Sequence, residues 1–117
     1  YVVIGAYFED FTDGYGNTAT KKKATFMGSE VQIPTAFYYA LMRTKTGNTG
    51  KSLKKCPTNT IQCVAFIRAH ASGTKGQQVT HKELMSIREL EELTGFNYFP
   101  NIPHAPRDSY LASDWGF

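Results

Sequence analysis

The sequence predicts an α+β fold: an antiparallel or mixed sheet of about 3–5 strands, one short capped helix and an irregular carboxy-terminal tail. Three observations carry this. Apolar runs of strand character stand at 1–8, 31–44 and 61–71, a run with helical spacing stands at 86–95, and clusters of Gly, Pro, Asn and Ser separate them.

Tyr1–Phe8 is apolar almost throughout and stops at Glu9-Asp10, which predicts a strand buried on both faces and central in the sheet. Asp13-Gly14-Tyr15-Gly16-Asn17 breaks it. Thr25–Met27 reads as a short strand. Val31–Thr44 reads as a longer one interrupted at Pro34, whose missing N–H implies an edge, a bulge or a bend. Beyond Pro34 the alternation sets Phe37, Tyr39 and Leu41 on one face and Ala36, Tyr38, Ala40 and Met42 on the other, both largely apolar. Ile61–Ala71 is a third strand, expected to pair antiparallel with Phe37–Arg43. Polar loops are expected at 46–52 and 72–78.

The helix is the best punctuated element. Ser86 and Glu89 stand three apart, so the Ser86 hydroxyl can accept from the Glu89 amide while the Glu89 carboxylate reaches back. Met85 and Leu90 occupy the staple positions, and Ile87, Leu90 and Leu93 share a face. Gly95 supplies the left-handed stop, Phe96 is placed to fold back on the last turn, and Pro100 and Pro103 forbid a restart. A helix of about eight residues needs a surface to pack on. The tail beyond Pro103 offers Tyr110, Leu111, Trp115 and Phe117 for docking.

The 117 residues suffice for one core, so 1–117 is expected to be a single unit burying roughly two thirds of the surface its unfolded form exposes. Apolar content of 41% against 20% charged residues argues against disorder, and no apolar run approaches the roughly 20 residues that span a bilayer. The chain opens directly on an apolar strand without an initiator Met or a signal peptide, from which an upstream segment is expected.

A net charge of +3 allows phosphate attraction without indicating it. The basic run Lys21-Lys22-Lys23 lies in a polar, glycine-rich segment, where a solvated loop is the first reading and a nucleic-acid phosphate contact the second. Gly47-Asn48-Thr49-Gly50-Lys51-Ser52 ends like a phosphate-binding loop, but Lys45 stands where the first glycine is needed, and Pro57 soon follows Lys55. That leaves a hairpin connection. Cys56 and Cys63 have six residues between them, which leaves open a disulfide or two thiols, and offer no Cys-x-x-Cys metal spacing. His70, His81 and His104 show no ligand spacing to one another and read as surface or packing residues. Glu9-Asp10 reads as a strand terminus and Glu91-Glu92 as a solvated helix face.

Several segments in order resemble one family. Tyr1-Val2-Val3-Ile4-Gly5-Ala6-Tyr7-Phe8 resembles the glycine-ended central strand of the DNA/RNA non-specific endonucleases, the His-Me finger (ββα-metal) family that includes endonuclease G. Val31-Gln32-Ile33-Pro34-Thr35-Ala36-Phe37-Tyr38-Tyr39 is similar to the family's Val-Pro-x-x-Phe-Tyr strand, Leu84–Pro103 to its carboxy-terminal helix and tail, and Ser113–Phe117 to the ends of secreted bacterial members.

The resemblance implies a parent enzyme that hydrolyses phosphodiesters of DNA and RNA with a divalent cation, Mg or Mn, and a secreted or periplasmic location. The family's Asp-Arg-Gly-His motif, metal-binding Asn and Glu/Arg helix precede the strand that Tyr1 begins, and no Asp-Arg-Gly-His occurs in the 117 residues. The resemblance therefore implies the carboxy-terminal portion alone, with no catalytic residue and no metal ligand of its own, whose partners are the amino-terminal half of the nuclease domain and, through it, DNA and RNA. A homodimer through an exposed sheet edge is the other way to cover the strand at Tyr1–Phe8. The alternative function is a catalytically inactive binding module of the same architecture.

Overall fold

The computed structural model describes residues 1–47, 50–71 and 77–117. Strand β1 (Val2–Tyr7) is followed by two small antiparallel hairpins, β2 (Phe11–Thr12) with β3 (Thr18–Ala19) and β4 (Lys22–Phe26) with β5 (Ser29–Ile33). Then come β6 (Ala36–Thr44), β7 (Ile61–Ala69), β8 (Leu84–Met85) and the helix α1 (Ile87–Thr94). Strands β1, β6, β7 and β8 form one antiparallel sheet in that spatial order. The fold is α+β, as the sequence predicts.

Burial separates the two faces of this sheet. Ala36, Tyr38, Ala40 and Met42 of β6 join Cys63, Ala65 and Ile67 of β7 beneath Ile87 and Leu90 of α1, and Tyr98, Ile102 and Ala105 of the tail close the same core. The register pairs Ala36 with Ala69 and Thr44 with Ile61, so the expected pairing of Phe37–Arg43 with the third strand is present over its whole length. The opposite face carries Val2 and Ile4 of β1, Phe37, Tyr39 and Leu41 of β6, and Phe66 of β7. Tyr39 stacks on Phe66 with ring centroids 4.7 Å apart. Val2 and Ile4 remain 58% and 62% exposed, so this face is apolar yet only partly covered.

Gly5 is paired with Tyr38, and a Cβ on Gly5 would stand 2.2 Å from the phenol Cζ and Oη. The tyrosine ring therefore lies across the glycine, closer than any side chain would permit.

The structure changes several expectations. Strand β1 is an edge of the described sheet, not a central strand: its apolar residues on both faces reflect two apolar sheet faces, while only β6 pairs with its backbone. The short strand expected at Thr25–Met27 is the end of a longer one, β4, whose partner β5 begins at Ser29, before the run assigned to 31–44, and ends inside it. Met27 and Gly28 turn it with φ of 49° and 80°, the two left-handed residues of a type I′ turn. Pro34 does mark a break, separating β5 from β6. The loops expected at 46–52 and 72–78 lie in part outside the described residues, at 48–49 and 72–76.

At α1 the Glu89 N–H donates to Ser86 Oγ at 3.1 Å, and Gly95 takes the left-handed conformation at φ 78°. The return bond from the Glu89 carboxylate is absent among the described residues, because Glu89 is exposed and water satisfies it equally well. A reciprocal cap forms instead on the separate 3-10 turn His81–Glu83, where the Thr80 N–H donates to Glu83 Oε1 at 3.3 Å. Leu93 and Phe96 point to solvent, 37% and 61% exposed. Tyr98 fills the place foreseen for Phe96, its hydroxyl 2.7 Å from Thr94 Oγ1. In the tail Ile102 and Ala105 are the buried anchors, whereas Tyr110, Leu111 and Phe117 stay exposed.

Candidate functional site

Alternation along β4 divides the three lysines. Lys21 Nζ lies 2.6 Å from the Glu9 carboxylate, and its N–H donates to Asp10 Oδ1 at 2.8 Å. Lys23 Nζ lies 3.5 Å from Glu30. Lys22 falls between them on the other side of the ribbon, opposite Ile33, and makes no ion pair among the described residues. The run is thus largely a strand, not a loop. Its backbone is held by β5 while its side chains stand in water, a combination that leaves no apolar period to read.

Lys22 and Ile33 line a cleft of about 460 Å³ together with Thr18, Thr20, Pro34 and His70. The cleft lies where the β2–β3 hairpin meets the β5–β6 junction and the end of β7. His70 Nδ1 is 2.8 Å from the Pro34 carbonyl oxygen, and its ring tilts against Phe37 at 5.4 Å between centroids. A carbonyl only accepts, so Nδ1 carries a hydrogen and Nε2 is the nitrogen left for another partner. His81 is exposed, and His104 Nε2 is 2.7 Å from the Cys56 carbonyl. The three histidines are held on separate elements.

Asp13 fixes the β2–β3 turn. Its carboxylate accepts from the Tyr15 and Asn17 N–H groups, both at 2.8 Å, and from the Asn17 side-chain amide at 2.9 Å. Burial alone would raise its pKa, but these donors and the charge of Arg68 together hold it below the ordinary 3.8. Arg68 itself reaches Glu83 at 3.0 Å and the Gln78 carbonyl at 3.0 Å, tying β7 to the segment that enters α1.

A second buried charge organises the tail. The Arg107 guanidinium donates to the carbonyls of Tyr98, Phe99 and Ile102 and to Glu91 Oε2. Glu91 also accepts from the Tyr98 N–H at 3.1 Å, so it is a structural acceptor with a side chain 10% exposed, and only Glu92 fits the reading of a solvated helix face. No local sequence signal announces this pair, which spans sixteen positions. Cys56 and Cys63 are both buried and no disulfide joins them. Burial pushes the Cys63 thiol up to about 11, the opposite of an activated nucleophile. Burial likewise raises the Tyr98 phenol.

A sequence model of the DNA/RNA non-specific endonuclease family matches residues 1–105. The chain belongs to that family. No curated protein matches it in sequence. Nucleases of this family are generally dependent on a divalent metal. Among the described residues of this member no three His, Cys, Asp or Glu side chains converge on one point. Also among the described residues, no helix is long and apolar enough to cross a membrane. The match embraces β1, the hairpins, β6, β7, α1 and the Arg107-bound carbonyls of Tyr98, Phe99 and Ile102.

Proposed function

We propose that residues 1–117 form, as one unit, the carboxy-terminal scaffold of a secreted or periplasmic metal-dependent endonuclease that hydrolyses DNA and RNA without sequence preference. The Asp-Arg-Gly-His motif and the metal-binding Asn are supplied by an amino-terminal half that packs on this unit, and the chain alone is inactive. One observation carries the reading. The sheet face bearing Val2, Ile4, Phe37 and Tyr39 is apolar and half open at the very strand whose outer edge is unpaired in the described sheet. A sheet that is apolar on both faces belongs in the middle of a layered domain, and here one layer, α1 with the tail, covers one face.

On this reading the chain's contribution to hydrolysis is positional. It presents β1 as a template for strand pairing and a flat apolar platform for a second layer, and it supplies no group that touches the reacting phosphorus. The divalent cation is held by the other half.

Complementation tests the reading. The chain alone with magnesium or manganese should leave plasmid DNA and RNA intact, and mixing it with an amino-terminal half carrying Asp-Arg-Gly-His should restore chelator-sensitive cleavage. Robust cleavage by the pure chain would overturn the scaffold role. Absence of cleavage after a complex has formed, shown by co-elution, would favour the inactive binding module. On size exclusion the isolated chain should dimerise through β1 or aggregate, and a clean, stable monomer would argue against a face that needs covering.

A further inference from the structure

We propose that the cleft between the β2–β3 hairpin and the β5–β6 junction is a phosphodiester-binding subsite, with Lys22 and His70 as its contacts to a nucleic-acid strand. The proposal rests on the nuclease reading for the identity of the ligand. Three features of the cleft agree. It has a cation with no ion pair among the described residues, since Lys21 and Lys23 face Glu9 and Glu30 while Lys22 alone faces the cleft. It has no acidic residue among its described lining. It has a pre-oriented imidazole, because the Pro34 carbonyl takes Nδ1 and the Phe37 ring supports the face, leaving Nε2 as the atom free to meet a ligand.

The chemistry of the lining selects among anions. The Lys22 ammonium is a donor suited to non-bridging phosphate oxygens, and His70 becomes one through Nε2 when both of its ring nitrogens carry hydrogen. The hydroxyls of Thr18 and Thr20 add neutral donors at the rim, although Thr18 already shares its hydroxyl with Thr12 at 2.9 Å. Ile33 and Pro34 give the cleft an apolar wall against which a sugar can lie. The described lining holds no Arg, Asn or Gln to grip a base edge with two bonds, so contact here is chiefly to the backbone, in keeping with a non-specific enzyme.

The test uses this chain with a fluorescent single-stranded DNA oligonucleotide lacking terminal phosphates, in EDTA, by anisotropy across a salt series. Lys22→Ala should weaken binding roughly tenfold at low salt and lower the slope of log affinity against log salt by about one contact, whereas Lys23→Ala, which removes the same charge from the opposite side, should change affinity less than about twofold. The imidazole resonances of His70 should shift on titration and those of His81 should not. All substituted positions are exposed, so circular dichroism should show each variant folded. Equal losses in the two lysine variants, an unmoved His70 signal, or no binding to the chain at low salt would each overturn the subsite. These outcomes are independent of cleavage by the complemented protein: cleavage without a Lys22 effect removes the subsite and leaves the nuclease reading, while binding at Lys22 without restored cleavage does the reverse.

Discussion

Replacing Arg107 with Met should cost about 3–5 kcal/mol of folding stability. Arg107 is 9% exposed and its guanidinium serves four acceptors: three backbone carbonyls, of Tyr98, Phe99 and Ile102, and the Glu91 carboxylate. Two of those carbonyl bonds are buried; the Tyr98 carbonyl would be left without a donor at about 1–3 kcal/mol, whereas the Phe99 and Ile102 carbonyls keep the N–H groups of Ile102 and Ala105 at 3.0 and 3.3 Å and lose one of two donors. Glu91 keeps the Tyr98 N–H, which limits its share. Phe99 sits at φ 51°, a left-handed conformation a bulky residue enters at about 1–2 kcal/mol, and its carbonyl is one of those Arg107 holds. Against a total of about 5–15 kcal/mol, the loss is severe.

Urea denaturation followed by tryptophan fluorescence and circular dichroism measures it. Arg107→Lys, which keeps the charge but cannot fork to several acceptors, should lose roughly half as much and remain folded, giving a value even if Arg107→Met does not fold. The decisive variant is Glu91→Met with Arg107→Met. Swapping an ordinary buried ion pair for apolar residues is often neutral, but the Tyr98 carbonyl cannot be substituted away, so the double variant should stay about 1–3 kcal/mol below wild type. A double variant as stable as wild type, or a single Arg107→Met loss under about 1 kcal/mol, would refute the view that the carbonyls carry the effect.

Three further outcomes are expected. Gly5→Ala should destabilise by about 1–3 kcal/mol in thermal melts because the new Cβ occupies the Tyr38 ring, and Gly5→Ala with Tyr38→Leu should recover part of that loss. Asp13 has a folded pKa below its ordinary value, so its contribution is present above about pH 4 and is lost as pH falls through the folded value; Asp13→Asn should flatten that part of the acid stability profile without altering stability at very low pH. Cys63 has a folded pKa raised from 9.0 to about 11, so its contribution holds below pH 9.0 and declines as pH rises toward 11, and native protein at pH 8 should resist iodoacetamide at this thiol while urea-unfolded protein reacts.

What the sequence disclosed and what it hid follow from the range of the interactions. The helix was legible because its signals are local: Ser86, Ile87, Leu90 and Gly95 act within about three turns of one another. The pairing of β6 with β7 was legible because burial on one face imposes a two-residue period on both. The β4–β5 hairpin was not, since its residues are exposed on both sides and its turn uses Met27 where Asn or Gly is the usual sign. Arg107 was invisible for the opposite reason. Its partners are backbone carbonyls and a distant glutamate, and nothing in the composition of the tail distinguishes a buried arginine from a solvated one. The cleft was half legible: the lysine run drew attention, but only the alternation of a strand that the sequence concealed separates Lys22 from its neighbours, and His70 joins it across 48 positions.

The contact between Gly5 and Tyr38 also governs which alignments of the sheet edge are available during folding. Sliding β1 by one residue along β6 would turn Val2 and Ile4 into the core and Val3 and Tyr7 out of it. Sliding it by two would preserve the faces, and hydrophobic pattern alone would not forbid it. That slip, however, brings Val3 or Tyr7 to the place where the phenol ring leaves no room for a Cβ. A single missing side chain thus acts as an index mark, admitting one alignment of β1 and excluding the near-degenerate ones on either side.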